Sequence, residues 1–157
     1  MKRLITTLLI IDCGKTLLLG EKKRGFGIGK INGVGGKLES GETPLEAVIR
    51  ECGEEIGVVP NNPVEYGVVE FDEVIKGERC LVEMHVFKCD GYSHDTEPQE
   101  SDEIKPVFIN KNEIPYERMF EDDKYWLPEL LKNKKFKGSF IYDDNLKLLE
   151  KAIEFTN

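Results

Sequence analysis

Two histidines, one tryptophan and no closely spaced cysteine pair occur in this chain of 157 residues. The four cysteines, Cys13, Cys52, Cys80 and Cys89, lack the C-x-x-C spacing of a zinc or redox motif. The histidines, His85 and His94, do not complete a zinc set with them. The cysteines read as reduced thiols in or near a core. No apolar run approaches the ~20 residues that cross a bilayer. Residues 8–11 are too short for the apolar part of a signal peptide, and Asp12 ends them with no small-residue cleavage site. A cytoplasmic chain without membrane contact is expected. Basic residues are in deficit: 22 lysines and arginines against 30 aspartates and glutamates, a net charge of −8. Such a field repels nucleic acid at long range and argues against a duplex partner. A small anionic ligand is still compatible if bound cations and a local basic cluster offset the field.

What is present suits one folded unit. The length fits a single domain over 1–157, with no linker or internal repeat. Apolar and charged fractions of 39% and 33% are ordinary for a globular protein. Residues 3–12 (RLITTLLIID) read as a buried strand, 13–15 as a turn and 16–22 as a second strand. Residues 24–37 hold six glycines, which marks a loop of special backbone geometry. A helix is predicted at about 44–56. Thr43 and Glu46 have capping-box spacing, Pro44 suits the first turn, and Gly57 suits the position past the end. Leu45, Val48, Ile49, Cys52 and Ile56 form its expected buried stripe.

Residues 64–71 and 79–89 are rich in strand formers, and Lys76-Gly77-Glu78 can join them as a hairpin. A polar, acidic loop follows at 90–102, then a strand at 106–109. A second helix is expected over roughly 122–135, with Pro128 kinking it or resetting its start. In the tail, 140–142 looks like a strand, whereas 146–155 has helix-forming composition. The order strands, helix, strands, helix suggests a mixed sheet between two helices.

The chemistry concentrates in residues 36–58, GKLESGETPLEAVIRECGEEIGV. At about 100° per residue, Glu51 and Glu55 lie one turn apart on one side of the helix, with Glu54 the i+3 neighbour of Glu51. Glu42 sits just before the helix and can fold back toward them. Like charges so spaced destabilise a helix by a few tenths of a kcal/mol per pair and raise one another's pKa. A dication removes both costs, and a cluster of hard oxygens suits magnesium or manganese. Three glutamates on a helix can also be a solvated acidic face, with Arg50 and Glu54 a surface pair.

The spacing decides between these readings. It resembles the Nudix box, G-x5-E-x7-R-E-U-x-E-E-x-G-U, where U is a bulky aliphatic, and Gly36, Glu42, Arg50, Glu51, Glu54, Glu55 and Gly57 all match. Chance agreement at one register is below roughly one in ten million. Cys52 stands at the first aliphatic position, where it still packs as a small hydrophobe. The resemblance implies an α/β/α sandwich with a mixed sheet and the box helix packed on it. It also implies metal binding by Glu51, Glu54 and Glu55 with help from the Gly36 carbonyl, Arg50 orienting a box carboxylate, and substrates that are nucleoside diphosphates linked to another group.

Beyond the box, GEKKRGFGIGKINGVGGKL, ESDE and DDKYWLP resemble the branch of the family that acts on oxidised purine nucleoside triphosphates. By position, that resemblance implies that Asn32, Asp122 and Asp123 read the purine edge and that Lys22 lies at the triphosphate. Phe26, Phe120 and Trp126 would line the base pocket, and Glu103 would be a further metal ligand or base. Adjacent acids cannot both ionise easily beside an apolar pocket, so one could hold a proton and donate it. The plainer reading of Asp122 and Asp123 is an N-cap and a first-turn acid. Phe120 and Ile31 stand where that branch has tryptophans, so the resemblance implies oxidised purines without singling out guanine.

Other signals are weaker. GFGIGKI is one residue short of a P-loop and lacks its Ser/Thr, and no Gly-opened helix supports a dinucleotide fingerprint. Lys132, Lys134, Lys135 and Lys137 read as caps for the negative end of the second helix. His85 reads as a satisfied structural histidine. The expected activity is conversion of an oxidised purine nucleoside triphosphate to monophosphate and pyrophosphate with magnesium or manganese, by a monomer or weak dimer. The alternatives are a Nudix enzyme for a nucleotide sugar, a dinucleoside polyphosphate or an RNA 5′ end, and a non-catalytic nucleotide-binding module.

Overall fold

In β1, Lys2–Asp12, Leu8 and Ile10 join one core cluster and Leu9 and Ile11 the other, and all four are buried. A strand buried on both faces reads as a continuous apolar run rather than an alternation. The computed structural model describes residues 1–156. A turn leads to β2, Thr16–Lys22, and the glycine-rich loop contributes a short strand, β3, Ile31–Asn32. The box helix is α1, Pro44–Ile56. β4, Val64–Ile75, and β5, Glu78–Asp90, form a hairpin around Lys76 and Gly77, whose φ angles of 52° and 77° suit a two-residue primed turn. Then come β6, Ile104–Asn110, a 3-10 turn at Tyr116–Arg118, α2, Asp123–Leu130, β7, Lys135–Tyr142, and β8, Leu148–Thr156.

Among the described residues the strands make one mixed sheet in the order β3-β2-β1-β5-β4-β7-β8, with β6 also paired to β2. β1 runs parallel to β5 from Lys2↔Cys80 to Asp12↔Asp90, and β4 runs parallel to β7. α1 packs Val48, Cys52 and Ile56 over Leu9, Ile11 and Leu18. Trp126, Leu127 and Leu130 of α2 belong to the core cluster that contains Leu8, Ile10 and Leu17. The result is the expected sandwich, a mixed sheet with a helix on each side. Each fully buried leucine or isoleucine of β1 and β2 contributes roughly 1.5–3 kcal/mol.

Several expectations are corrected. Leu45 and Ile49 are 44% and 41% exposed, and the buried line of α1 runs instead through Ala47, Val48, Cys52, Glu55 and Ile56. The helix is rolled so that Glu55 faces inward. The second helix ends at Leu130, well short of 135, where Asn133 turns the chain at φ 64° and the Lys134 N–H bonds the Glu129 carbonyl. The tail forms a strand, not a helix, because β8 pairs antiparallel with β7 along its length. Lys135 and Lys137 therefore belong to β7, while Lys132 and Lys134 bridge to the Glu129 carboxylate at 3.8 and 3.0 Å. The cysteines are free thiols, with Cys52, Cys80 and Cys89 buried. His85 sits between Glu65 and Glu83, its ring nitrogens 2.8 and 2.7 Å from their carboxylates. Among the described residues no helix is long and apolar enough to cross a membrane.

Candidate active site

The box glutamates are positioned by a helix whose ends are both fixed. Thr43 accepts from the Glu46 N–H, Glu46 accepts from the Thr43 N–H, and Gly57 closes the other end at φ 72°. This registers Arg50 at the centre of the cluster. Its Nε and Nη2 grip the two oxygens of Glu42 at 2.7 and 3.0 Å. Its Nη1 donates to Glu51 at 2.9 Å and to Glu54 at 3.1 Å, and Nη2 also reaches the Lys37 carbonyl at 3.1 Å. Those contacts push the guanidinium pKa further up, Glu42 first, and the same bond holds the Glu42 carboxyl below its usual range. Arg50 thus orients several box carboxylates at once. A planar fork with several fixed donors can do this, and a lysine could not.

Glu51 and Glu55 are set differently. Burial raises the Glu51 pKa, with Arg50 opposing. Glu55 is 7% exposed and accepts the Gly35 N–H at 2.8 Å. Burial raises its pKa to about 7, Gly35 lowers it, Glu51 and Glu103 add to the rise, and Lys22 opposes it. Glu54 and Glu103 are mostly exposed, and Glu103 pairs with Arg24 at 3.4 Å. Gly36 lies against Glu51: a Cβ there would fall 2.8 Å from the carboxyl carbon. The Gly36 carbonyl accepts from the Thr7 N–H at 2.9 Å and, at 3.3 Å, from the Thr7 hydroxyl, which can turn away from it.

Among the described residues, no three side chains of His, Cys, Asp or Glu type already converge as a metal cage. Arg50 holds Glu51 and Glu54, and Gly35 holds Glu55. The donor set nevertheless fits a hard dication. It consists of carboxylate oxygens, with Glu55 buried, Glu51 half-buried, and one guanidinium shared among Glu42, Glu51 and Glu54. Magnesium completes its shell with waters and substrate oxygens rather than requiring a preformed cage.

Beside this cluster lies a cavity of about 440 Å³, lined by Lys22, Phe26 and Asn32 from one side and Phe120, Asp122 and Asp123 from another. Lys22 joins the two regions, since it also acts on Glu55. The glutamates themselves do not line the cavity. Phe26 and Phe120 lie with ring centres 5.7 Å apart. Gly27 is required there, because its φ is 78° and a Cβ would meet the Phe120 ring at 2.7 Å. Asn32 faces the cavity while its Oδ1 accepts the Gly33 N–H at 2.9 Å.

Asp122 and Asp123 are each 2% exposed. Asp122 makes no side-chain cap to α2. Its carboxylate instead accepts from the Tyr142 hydroxyl and, at 2.8 Å, from the Trp126 indole N–H. The simple helix-cap reading therefore fails for Asp122. Trp126, expected as a pocket wall, is fully buried, stacked on Phe136 at 5.6 Å, and acts through Asp122. Asp123 keeps an oxygen, Oδ2, with no partner. Burial raises both carboxyl pKa values, and the charge of Asp122 helps push that of Asp123 well up. The rise is greater for Asp123, which lacks the hydroxyl and indole donors that hold the Asp122 carboxylate.

Sequence reasoning missed Tyr142 and Glu73, which both line the cavity. Nothing local marks Tyr142, whose contact to Asp122 spans 20 residues. Glu73 had a signal: an acid between Phe71 and Ile75 on one face of a strand.

This helix, cluster and sandwich define the class. The NUDIX domain family matches residues 1–130, and the chain belongs to the Nudix family of hydrolases. Within the family it is similar to the oxidized purine nucleoside triphosphate hydrolase of Danio rerio, 38% identical over 97% of this chain and 94% of that protein. The Mus musculus hydrolase of the same name is 38% identical over 96% and 94%. Among solved structures it is similar to a mutator MutT protein from Bacillus halodurans, with TM-score 0.84 and 27% identity, covering 96% and 97% of the two chains.

Proposed function

We propose that this enzyme hydrolyses oxidised purine nucleoside triphosphates to monophosphate and pyrophosphate with a divalent metal. The observation that carries this reading is the buried pair Asp122 and Asp123 on an apolar cavity beside the box helix, one acid supplied with donors and the other left with a free oxygen. A protonated Asp123 donates to a ring nitrogen or carbonyl, and an ionised Asp122 accepts from an N–H. Such a pair reads the edge of a purine. Phe26 and Phe120 pack the base, Asn32 supplies a further polar contact, and Lys22 meets the phosphates on the side of the glutamates. The similarity to hydrolases of that substrate class supports the same reading.

Magnesium or manganese held by Glu51, Glu54 and Glu55, with Gly36 and Glu103 as further oxygen donors, would supply countercharge to the phosphates and activation of water. Arg50 keeps those carboxylates in place through the reaction. Burial of Glu55 strengthens each charge interaction made by its carboxylate.

The test is kcat/KM for wild type, Asp122→Asn and Asp123→Asn on 8-oxo-dGTP, dGTP and a nucleotide sugar. Each variant is expected to lose ~1–3 kcal/mol of transition-state stabilisation on the oxidised purine. Unchanged efficiency and preference in both would remove the base-reading role and leave an unspecified Nudix pyrophosphohydrolase.

A further inference from the structure

Glu73 lines the cavity apart from the pair Asp122 and Asp123. Phe71, Glu73 and Ile75 of β4 all line it, as do Cys80 and Val82 of β5. Glu73 is the Cα partner of Cys80. On the other side, the β4–β7 pairing ends at Asp72↔Ile141, so the next residues are Glu73 and Tyr142. Tyr142 is the residue whose hydroxyl holds Asp122. Glu73 therefore stands in an otherwise apolar strip of sheet, next to the group that anchors the base-reading acid. Burial raises its pKa to about 7 and the charge of Asp122 adds to the rise, with no hydrogen bond or ion pair to offset either. Glu73 is half-buried, so its carboxyl, without a protein partner, is open from the cavity to a donor on a ligand.

We propose that Glu73 is a specificity-determining residue of the pocket, accepting a hydrogen bond from an exocyclic amino group of the base. The inference rests on the reading of this cavity as the purine site. An amino group carries two N–H bonds. Asp122 holds Tyr142 on one oxygen and Trp126 on the other and keeps a lone pair for a further donor; the two N–H bonds of the amino group diverge, so it takes one of them. Glu73 takes the second. Arrival of the donor also stabilises the ionised carboxylate that burial disfavours. The pocket then favours a purine with an amino group over the same purine without it, because loss of that group leaves a buried acceptor unpaired.

The experiment compares 8-oxo-dGTP with 8-oxo-dITP, which differ only in the 2-amino group, for wild type, Glu73→Leu and Glu73→Gln. Wild type is expected to prefer the amino-bearing substrate by about tenfold or more in kcat/KM. Glu73→Leu should bring the two within about threefold of each other, chiefly by losing efficiency on 8-oxo-dGTP. Glu73→Gln keeps the shape and one acceptor oxygen, folds with the least disturbance, and should fall between. A preference that survives in Glu73→Gln and Glu73→Leu, or an equal loss on both substrates, overturns the role of Glu73 and leaves the purine site standing. Failure of wild type to turn over either substrate overturns the purine reading and this inference with it.

Discussion

Asp123 sits in the cavity wall with one carboxyl oxygen unpartnered, its charge opposed by burial and by Asp122. Its folded pKa is raised, so the folded state keeps a proton that the unfolded chain releases near pH ~4. The sign follows: stability falls as pH rises from there up through the folded pKa. Asp123→Asn removes that loss. Thermal melts should show the variant gaining Tm over wild type as pH increases across this window, with little gain at its acid end. Parallel curves would contradict the assignment of the proton. Gly36 makes an opposite kind of prediction. Its backbone does not need glycine for conformation, but an alanine Cβ would meet the Glu51 carboxyl at 2.8 Å. Displacement on this scale costs about a hundredfold in rate. Gly36→Ala should therefore lose kcat and keep its Tm, and a variant with wild-type kcat would remove Glu51 from the centre. At this scale the glutamates were legible, because their spacing is local. Tyr142 was not, because strand pairing places it beside Asp122 and only the folded sheet shows it, whereas Glu73 carried a local signal as an acid between Phe71 and Ile75.

Helix α1 was legible in its ends and misread in its roll. Thr43, Glu46 and Gly57 define the termini through contacts within a few residues. Which face is buried depends on what lies beneath, and the inward turn of Glu55 exposes Leu45 and Ile49. Thr43→Ala should cost about 1 kcal/mol through loss of its cap, seen as a lower urea midpoint at unchanged slope. No change would mean that the Glu46 contact alone holds the helix start. β8 was left open by the sequence for a related reason. Its lysines, glutamates and leucines favour a helix locally, but pairing with β7 decides its state. The turn before it is fixed by Asp143, whose carboxylate accepts the N–H groups of Asn145 and Lys147 at 2.8 and 2.9 Å.

The last strands complete one core cluster, and β7 adds Tyr142 to the cavity wall. The family match ends at residue 130, yet β7 pairs with β4 and brings Phe136, Phe140 and Tyr142 into the core. Losing three buried aromatics at roughly 3–5 kcal/mol each is comparable to a whole domain's stability of about 5–15 kcal/mol. A chain cut after Lys134 should give no cooperative melt, and a cooperative, active fragment would show that β7 and β8 are dispensable. The surplus of acid over base, −8, is concentrated in part at the box helix, a charge that a dication would offset under the proposed function. Glu55→Gln should remain folded and lose several orders of magnitude in turnover. The most direct test is product analysis of wild type with 8-oxo-dGTP and magnesium, with and without a chelator, against dGTP at equal concentration. Monophosphate and pyrophosphate in equal amounts, turnover that stops with chelator and returns with magnesium or manganese, and a higher kcat/KM for the oxidised base are the expected results. Turnover indifferent to chelator, release of orthophosphate, or no preference for the oxidised base would contradict a metal-dependent hydrolase of oxidised purine nucleoside triphosphates.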